Sequence, residues 1–164
     1  MKIQVFQRGE TVPIWAEDKN WAGVLIDPST GIKVVITDPD EKVVGDISVI
    51  SSTDFTVGLT VTGGTSGATG IILEKPNGTT LRLKWVTGIW QSGEAITDTG
   101  SGTSTTSSTL VDIVMTWDAV GKYVFYYKSD IADPIGWWRY FCKAVDGAGD
   151  TARTVITHGG FELQ

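Results

Sequence analysis

The residues with reactive side chains are few and stand in positions that do not suit catalysis. His158 is the single histidine, so a Ser-His-Asp arrangement would have to use it, but the run His-Gly-Gly is typical of a bend at the end of a strand. Cys142 is the single cysteine, which excludes an internal disulfide and a cysteine-based zinc site. Its apolar neighbours indicate a small buried side chain rather than a nucleophile.

The carboxylates are more numerous, but they fall in predicted turns. Asp38, Asp40 and Glu41 form an Asp-Pro-Asp-Glu cluster without the ligand spacing of an EF-hand loop, so a turn explains them and calcium binding stays an open alternative. Paired acids for glycoside hydrolysis must face each other across a cleft, which turn positions do not provide. We therefore expect no enzymatic activity and no cofactor or metal.

Charge and hydropathy restrict the expected partners. The chain of 164 residues has a formal net charge of −6, and its 13 basic residues are scattered singly, whereas nucleic-acid-binding proteins concentrate Lys and Arg in a patch. No apolar run approaches the roughly 20 residues that span a bilayer, and the N-terminus lacks the apolar core of a signal peptide. We expect no nucleic-acid or membrane partner, and synthesis in a cytoplasm without a signal peptide.

Residue patterns predict an all-β fold. The chain has 20 glycines, many Ser and Thr residues, and no apolar periodicity of 3.6 residues. Two runs dense in aromatic residues, 121–127 and 137–145, flank a Pro/Gly break at 133–136. This pattern predicts two adjacent antiparallel strands at the centre of the main core.

One further strand shows strict alternation of apolar and basic residues. The run Leu-Arg-Leu-Lys-Trp predicts that the side chains of Leu81, Leu83 and Trp85 point inward. The same alternation predicts that Arg82 and Lys84 point outward.

A change in composition after Gly45-Asp46 predicts two domains. Residues 47–111 hold half of the Gly and most of the Thr and Ser, and short strands with glycine at the corners predict a small curled barrel. Its end, the Ser/Thr/Gly-rich segment 98–109, predicts a flexible loop. Residues 1–46 and 112–164 together predict a β-sandwich into which the barrel is inserted at a hairpin tip.

Five motifs follow one another in the outer part of the chain: IQVFQRGETVPIWAE, KVVITDPDEKVVGD, MTWDAVGKYVFYY, IGWWRYFCKAVDG and HGGFELQ. Their order resembles the small immunoglobulin-like structural proteins of tailed bacteriophage virions and, more distantly, the N-terminal domains of phage baseplate proteins. The segments VGLTVTGGTSGATGIIL and VTGIWQSGEAIT resemble a small β-module of large phage virion proteins. The resemblance implies an immunoglobulin-like β-sandwich interrupted by an inserted small β-barrel.

The same resemblance implies a non-enzymatic structural protein of the virion. The first interpretation is a capsid decoration protein that docks on the shell, with the major capsid protein as its partner, and projects the inserted barrel. The alternatives are a tail, baseplate or neck component that binds tail proteins, and a carbohydrate-binding adhesin module that binds a host glycan. Self-association is left open.

The seven tryptophans are the candidates for a contact surface. Three are interpreted as core residues, because small domains need bulky buried side chains: Trp15, Trp85 and Trp138. Four stand near predicted turns or on polar faces, and we expect them to be exposed and to contact a partner: Trp21, Trp90, Trp117 and Trp137.

Overall fold

The structure, a computed structural model, describes residues 4–20, 22–28, 31–146 and 153–164. All elements in these residues are β-strands, which confirms the predicted all-β class. The chain divides into two compact units: Met1–Asp40 with Val114–Gln164, and Glu41–Ile113. The second unit contains the whole of the segment 47–111 that the composition distinguishes.

The strands are numbered in chain order. They are β1 (Gln4–Phe6), β2 (Thr11–Glu17), β3 (Lys33–Thr37), β4 (Val43–Ser48), β5 (Thr60–Gly63), β6 (Thr69–Asn77), β7 (Thr80–Thr87), β8 (Ala95–Asp98), β9 (Thr103–Thr105), β10 (Ile113–Val114), β11 (Thr116–Ala119), β12 (Lys122–Lys128), β13 (Gly136–Asp146) and β14 (Arg153–Leu163).

The first unit contains two ladders of strands. In the ladder that we call the β13 ladder, the order is β1-β14-β13-β3, and β1 runs parallel to β14 while the other neighbours are antiparallel. In the β12 ladder the order is β11-β12-β2, and all neighbours are antiparallel. The first unit therefore has mixed strand pairing.

Three aromatic rings join the inner faces of the two ladders. Tyr127 on β12 lies with its ring centroid 5.1 Å from that of Trp138 on β13 and 6.1 Å from that of Phe161 on β14. Trp138 and Phe161 stack on each other at 5.8 Å. All three side chains are fully buried, and large aromatic rings contribute much of the stabilising apolar area of a core. The two ladders thus pack on each other through a shared aromatic core.

The predicted pairing of the two aromatic-rich strands is wrong, because β12 and β13 belong to different ladders. The segment between them is held to both strands by hydrogen bonds. Asp133 Oδ2 accepts a bond of 2.7 Å from the Tyr127 hydroxyl, and the indole Nε1 of Trp138 donates to the carbonyl of Pro134 at 3.1 Å. The Pro/Gly break therefore carries the chain from one ladder to the other instead of closing a hairpin.

The second unit is one antiparallel sheet with the order β4-β7-β6-β5-β8-β9. Its buried core includes Phe55, Ile72, Leu83 and Trp90. The chain from the end of β9 onward returns to β4 and the segment that follows it through two isolated antiparallel bridges, Val49 with Thr106 and Asp46 with Val111. These bridges do not extend into a continuous ladder, so the closed barrel that the sequence predicts is not formed.

The Ser/Thr/Gly-rich segment 98–109 is built into this sheet, which differs from the flexible loop that its composition predicts. Residues Thr103–Thr105 form β9, and Thr106 is buried. Asp98 orders the turn before β9, because its Oδ1 accepts hydrogen bonds from the backbone N–H groups of Gly100 and Gly102 at 2.9 and 2.8 Å. Backbone pairing and this side-chain acceptor overcome the intrinsic flexibility of the segment.

Strand β7 confirms half of its predicted alternation. Leu81 and Leu83 are fully buried, but Arg82 and Lys84 are also buried. The strand lies between β4 and β6, so acidic side chains of the neighbouring strands can reach its outer face. Arg82 makes a fork-like contact with Asp46, at 2.8 and 2.9 Å, and also pairs with Glu74. The ion pairs allow a basic side chain to be buried in the middle of the sheet.

Candidate binding surface

The outer face of the β12 ladder displays aromatic side chains. On β2, the residues Val12, Ile14 and Ala16 are buried, so alternation sends Trp15 to the opposite side. Trp15 is paired across the strands with Val124, and the next outward pair is Pro13 with Tyr126. We call these four residues the Trp15 face.

Two rings of this face are open to solvent. Trp15 is 46% exposed and Tyr126 is 52% exposed. Val124 points to the same side but is buried, so neighbouring side chains of the face cover it. The prediction that Trp15 is a core residue is therefore wrong, because the inner face of β2 is already filled by smaller side chains.

A second group of exposed aromatic residues lies on the outer face of the β13 ladder. Trp138, Cys142 and Ala144 point into the core, which confirms the core role predicted for Trp138. The alternate residues Trp137 and Phe141 are 38% and 41% exposed. They stand on either side of Arg139 along β13.

Two glycines of β14 shape this face. Gly160 is paired with Arg139, and a Cβ built on Gly160 would collide with the indole of Trp137. Gly159 is paired with Tyr140, and a Cβ built there would come within 2.6 Å of Tyr140 Cζ. Because neither residue has a side chain, the two rings lie directly against the backbone of β14, one on each side. The glycines therefore fix the positions of Trp137 and Tyr140.

A depression of about 470 Å³ lies over this part of the ladder. We call it the His158 depression, and its lining residues are Thr37, Trp137, Arg139, Tyr140, Phe141, His158 and Gly159. A second depression, of about 350 Å³, shares three of them and extends towards β2; it is lined by Gln4, Pro13, Trp15, Tyr140, His158, Gly159 and Gly160. Both volumes lie within the range of small-ligand sites.

The ionisable groups of the His158 depression are basic or phenolic. Among its described lining residues these groups are Arg139, His158 and Tyr140, with no carboxylate. Burial raises the pKa of the Tyr140 hydroxyl, and the nearby Cys142 raises it further. The hydroxyl therefore stays protonated at neutral pH and can donate a hydrogen bond. Cys142 itself is buried, and burial raises the pKa of its thiol to about 12, so it is not a thiolate at neutral pH.

Trp117 and Trp137, two of the four tryptophans expected to contact a partner, lie on different ladders of the first unit. Trp137 is exposed on the β13 ladder, as described above. Trp117 is 56% exposed on β11 of the other ladder, where its indole Nε1 donates to Asp27 Oδ1 at 3.2 Å. Trp21 lies outside the described residues.

Trp90 is only 1% exposed and belongs to the core of the second unit. Its expected role in partner contact is therefore wrong. The glycine-containing residues on either side of Trp90 do form bends and turns. The indole nevertheless points inward and fills the interior of the small second unit. Trp85, predicted to be a core residue, is half-buried, and its φ angle of 55° lies in the left-handed region.

Three exposed aromatic residues are not among the partner-contact residues that the sequence predicts: Trp15, Tyr126 and Phe141. The alternation of residues along β2 and β13 indicates that two of them, Trp15 and Phe141, lie on outer faces. Trp15 shares its parity along β2 with Thr11 and Glu17, and Phe141 shares its parity along β13 with Arg139 and Lys143. Parity with polar residues indicates the outer face more reliably than proximity to a turn does.

The acidic turn around Asp38 is not gathered into a metal site by this fold. Asp38 is buried, whereas Asp40 and Glu41 are exposed. In the part of the chain that the structure describes, no three His, Cys, Asp or Glu side chains converge as metal ligands would.

Within the described residues, no helix has the length and apolar character needed to cross a membrane. Comparison with models of known protein families, with curated proteins and with solved structures found no match to this chain.

Proposed function

We propose that this chain is a non-enzymatic structural protein of a tailed-phage virion and that it acts as a capsid decoration protein. The observation that supports docking is the Trp15 face, where two large aromatic side chains are exposed side by side on a strand surface. The phage assignment itself comes from the resemblance of the sequence motifs to virion proteins.

The Trp15 face has the composition of a protein contact. Tyr and Trp are enriched in the centres of interfaces, where each buried ring provides much apolar area at a small entropic cost. The ring of Trp15 is not required to fill the core, because the opposite side of β2 is already buried. Burying a side chain of this kind against a partner contributes about 1.5–3 kcal/mol. A shell that repeats the same partner surface many times would multiply that contact.

We also propose the finer description of the fold that the motifs imply. Packing of the two ladders through Tyr127, Trp138 and Phe161 supports an immunoglobulin-like sandwich for the first unit. The two isolated bridges, Val49 with Thr106 and Asp46 with Val111, support a curled, barrel-like sheet for the second. The second unit is continuous in sequence while the first is not, which supports the insertion of one into the other.

Electron cryo-microscopy of the particle encoded by the neighbouring genes tests the virion role. We expect density for the chain on the icosahedral shell, with the Trp15 face against the major capsid protein. Density at the neck, tail or baseplate would contradict decoration and assign the chain to the tail. Absence from every particle would contradict a virion role altogether.

A binding assay tests the docking face directly. Shells that lack the protein are incubated with the purified full chain, and bound protein is measured after sedimentation. We expect the double variant Trp15→Ala, Tyr126→Ala to lose at least about 100-fold in affinity, as expected for two interface aromatics. Trp117→Ala, an exposed tryptophan on another strand of the same ladder, is the matched control and should bind normally. Equal losses for both variants would contradict docking through the Trp15 face.

A further inference from the structure

The His158 depression combines a concave shape with aromatic walls and polar groups. Its volume is about 470 Å³, and small-molecule sites are concave regions of this size with a few polar groups among apolar ones. The Trp15 face, in contrast, is the outward surface of another ladder. The concave shape of the depression makes it a candidate site for a small ligand.

Each exposed aromatic side chain of the depression stands one outward position away from Arg139 along β13. Trp137 and Phe141 lie four residues apart on β13, which places their Cα atoms about 13 Å from each other along an extended strand. Arg139 lies midway between them on the same side, and Thr37 of β3 is its cross-strand neighbour. A six-membered sugar ring presents an apolar face of C–H groups that suits an aromatic ring, and hydroxyl groups around its edge that suit polar side chains.

Trp137 is held in place before any ligand arrives. Its indole lies against the backbone of Gly160, where a side chain would collide with it. A ligand that stacks on a ring with restricted motion loses less entropy on binding, because that ring is already positioned.

The charges of the depression are complementary to an anion. The chain carries a net charge of −6, yet the ionisable groups among the described lining residues are Arg139, His158 and the phenol Tyr140. A guanidinium group binds a carboxylate with two parallel hydrogen bonds, which is stronger and more directional than contact with a neutral hydroxyl. Thr37, which is paired with Arg139, can add a neutral hydrogen bond.

We propose that the His158 depression binds an acidic sugar residue, a pyranose ring that carries a carboxylate, with its ring against Trp137 and its carboxylate at Arg139 and His158. The aromatic platform of this site belongs to the β13 ladder and the docking face belongs to the β12 ladder, but the second depression, which is lined by both His158 and Trp15, adjoins the two. The site is therefore tested on the free chain, in which no docked partner covers it.

Titration of the full chain with simple glycosides tests this site. The probes are the methyl glycosides of glucuronic acid, galacturonic acid and N-acetylneuraminic acid, with methyl glucoside as the neutral match, and binding is followed by tryptophan fluorescence and by NMR. We expect at least one acidic glycoside to bind with a Kd of about 0.1–1 mM. The neutral glycoside should bind about 10-fold more weakly, since it lacks the charge-assisted contact.

Three variants separate the contributions. Arg139→Gln should weaken binding of the acidic glycoside about 10-fold and leave the neutral glycoside unchanged. Trp137→Ala should weaken both probes, and Trp137→Phe, which keeps an aromatic ring, should recover part of the loss. Tyr126→Ala, on the docking face, should change neither. The melting temperature of each variant shows whether it is folded.

Several outcomes would overturn the site. These are equal affinity for acidic and neutral glycosides, no saturation by any acidic glycoside below about 10 mM, and an unchanged preference in folded Arg139→Gln. Acetate that competes as well as the glycoside would also overturn it, because the sugar ring would then contribute nothing. None of these results depends on whether the chain docks on a shell.

Discussion

The ring of Tyr140 lies directly against Gly159 of the neighbouring strand. A Cβ built on Gly159 would come within 2.6 Å of Tyr140 Cζ and 3.2 Å of Tyr140 Cε1, and both are closer than carbon atoms in van der Waals contact. The two residues are directly paired in the β13–β14 ladder. The missing side chain on one strand thus determines where an aromatic ring of the next strand can lie.

This relationship predicts the effect of adding one methyl group. Gly159→Ala should lower the free energy of unfolding by about 1–3 kcal/mol, because the Tyr140 ring must move from a packed position. Combined with Tyr140→Leu, the cost should be clearly less than the sum of the two single variants, since the collision is then removed. Urea denaturation of the four proteins in the cycle measures this coupling.

Gly78→Ala is the matched control for that cycle, because a Cβ at Gly78 would have no atom within 4 Å. Its free energy of unfolding should change by no more than about 0.5 kcal/mol. Full additivity of Gly159→Ala and Tyr140→Leu would show that the ring does not constrain the glycine.

The carboxylate of Glu94 organises the loop that joins β5 to β6. It is buried and accepts hydrogen bonds from the backbone N–H groups of Ser66 and Gln91, at 2.9 and 2.8 Å, and from that of Thr65 at 3.2 Å. Glu94→Gln should destabilise the second unit by about 1–3 kcal/mol, because an amide has one acceptor oxygen where the carboxylate has two. Chemical denaturation checks this value.

The exposed residue Asp54 provides a matched control in the same unit. Asp54→Asn removes one carboxylate from a solvent-exposed position. We expect the free energy of unfolding to change by less than about 0.5 kcal/mol. Equal effects of the two substitutions would mean that the loss of negative charge, and not the hydrogen bonds to Glu94, determines the result.

Acid should destabilise the second unit through Glu94 and Asp98. Burial raises the pKa of each carboxyl group, but hydrogen bonds from backbone N–H groups outweigh burial and hold the pKa below the ordinary values of 4.5 and 3.8. A folded-state pKa below the unfolded one contributes stability that is fully present above the unfolded value. That contribution is lost as the pH falls through the folded-state pKa.

We therefore expect the contribution of these two carboxylates to the free energy of unfolding of the second unit to be constant near neutral pH. It should fall below about pH 4.5. Urea denaturation between about pH 3 and 7 measures the slope. The double variant Glu94→Gln, Asp98→Asn should be less stable at neutral pH and should show a shallower decrease in acid. An unchanged slope would exclude these two groups as its source.

Arg82 should be the most costly ion-pair residue to remove. Its side chain is only 10% exposed and pairs with Asp46 and Glu74, so Arg82→Ala leaves two carboxylates in a partly buried place without that cation. We expect a loss of about 3 kcal/mol, the lower end for a broken buried pair. Thermal or urea unfolding of the variant measures it.

The exposed pair of Lys19 with Glu17 gives the comparison, since both side chains are about half exposed (50% and 47%). Lys19→Ala should cost less than about 1 kcal/mol, because solvent screens this pair. A cost for Arg82→Ala no greater than that for Lys19→Ala would contradict the structural role of the buried pairs.

The sequence by itself determined the strand content and much of the inward and outward alternation. Strand residues such as Leu81, Leu83 and Trp138 could be placed in the core because alternation with period two is a local property of the extended chain. The change of composition after Asp46 likewise follows from residue types alone. These features depend on neighbours in sequence, which the sequence shows directly.

Only the tertiary structure decided which strands pair and what covers their outer faces. The break at 133–136 has the same residues whether it closes a hairpin or crosses between ladders, and the choice depends on distant partners such as β2 and β14. Arg82 is buried because Asp46 and Glu74 reach it from two other strands. Trp15 is exposed because smaller side chains of its own strand fill the core. Each outcome rests on contacts between residues far apart in sequence, which local patterns do not specify.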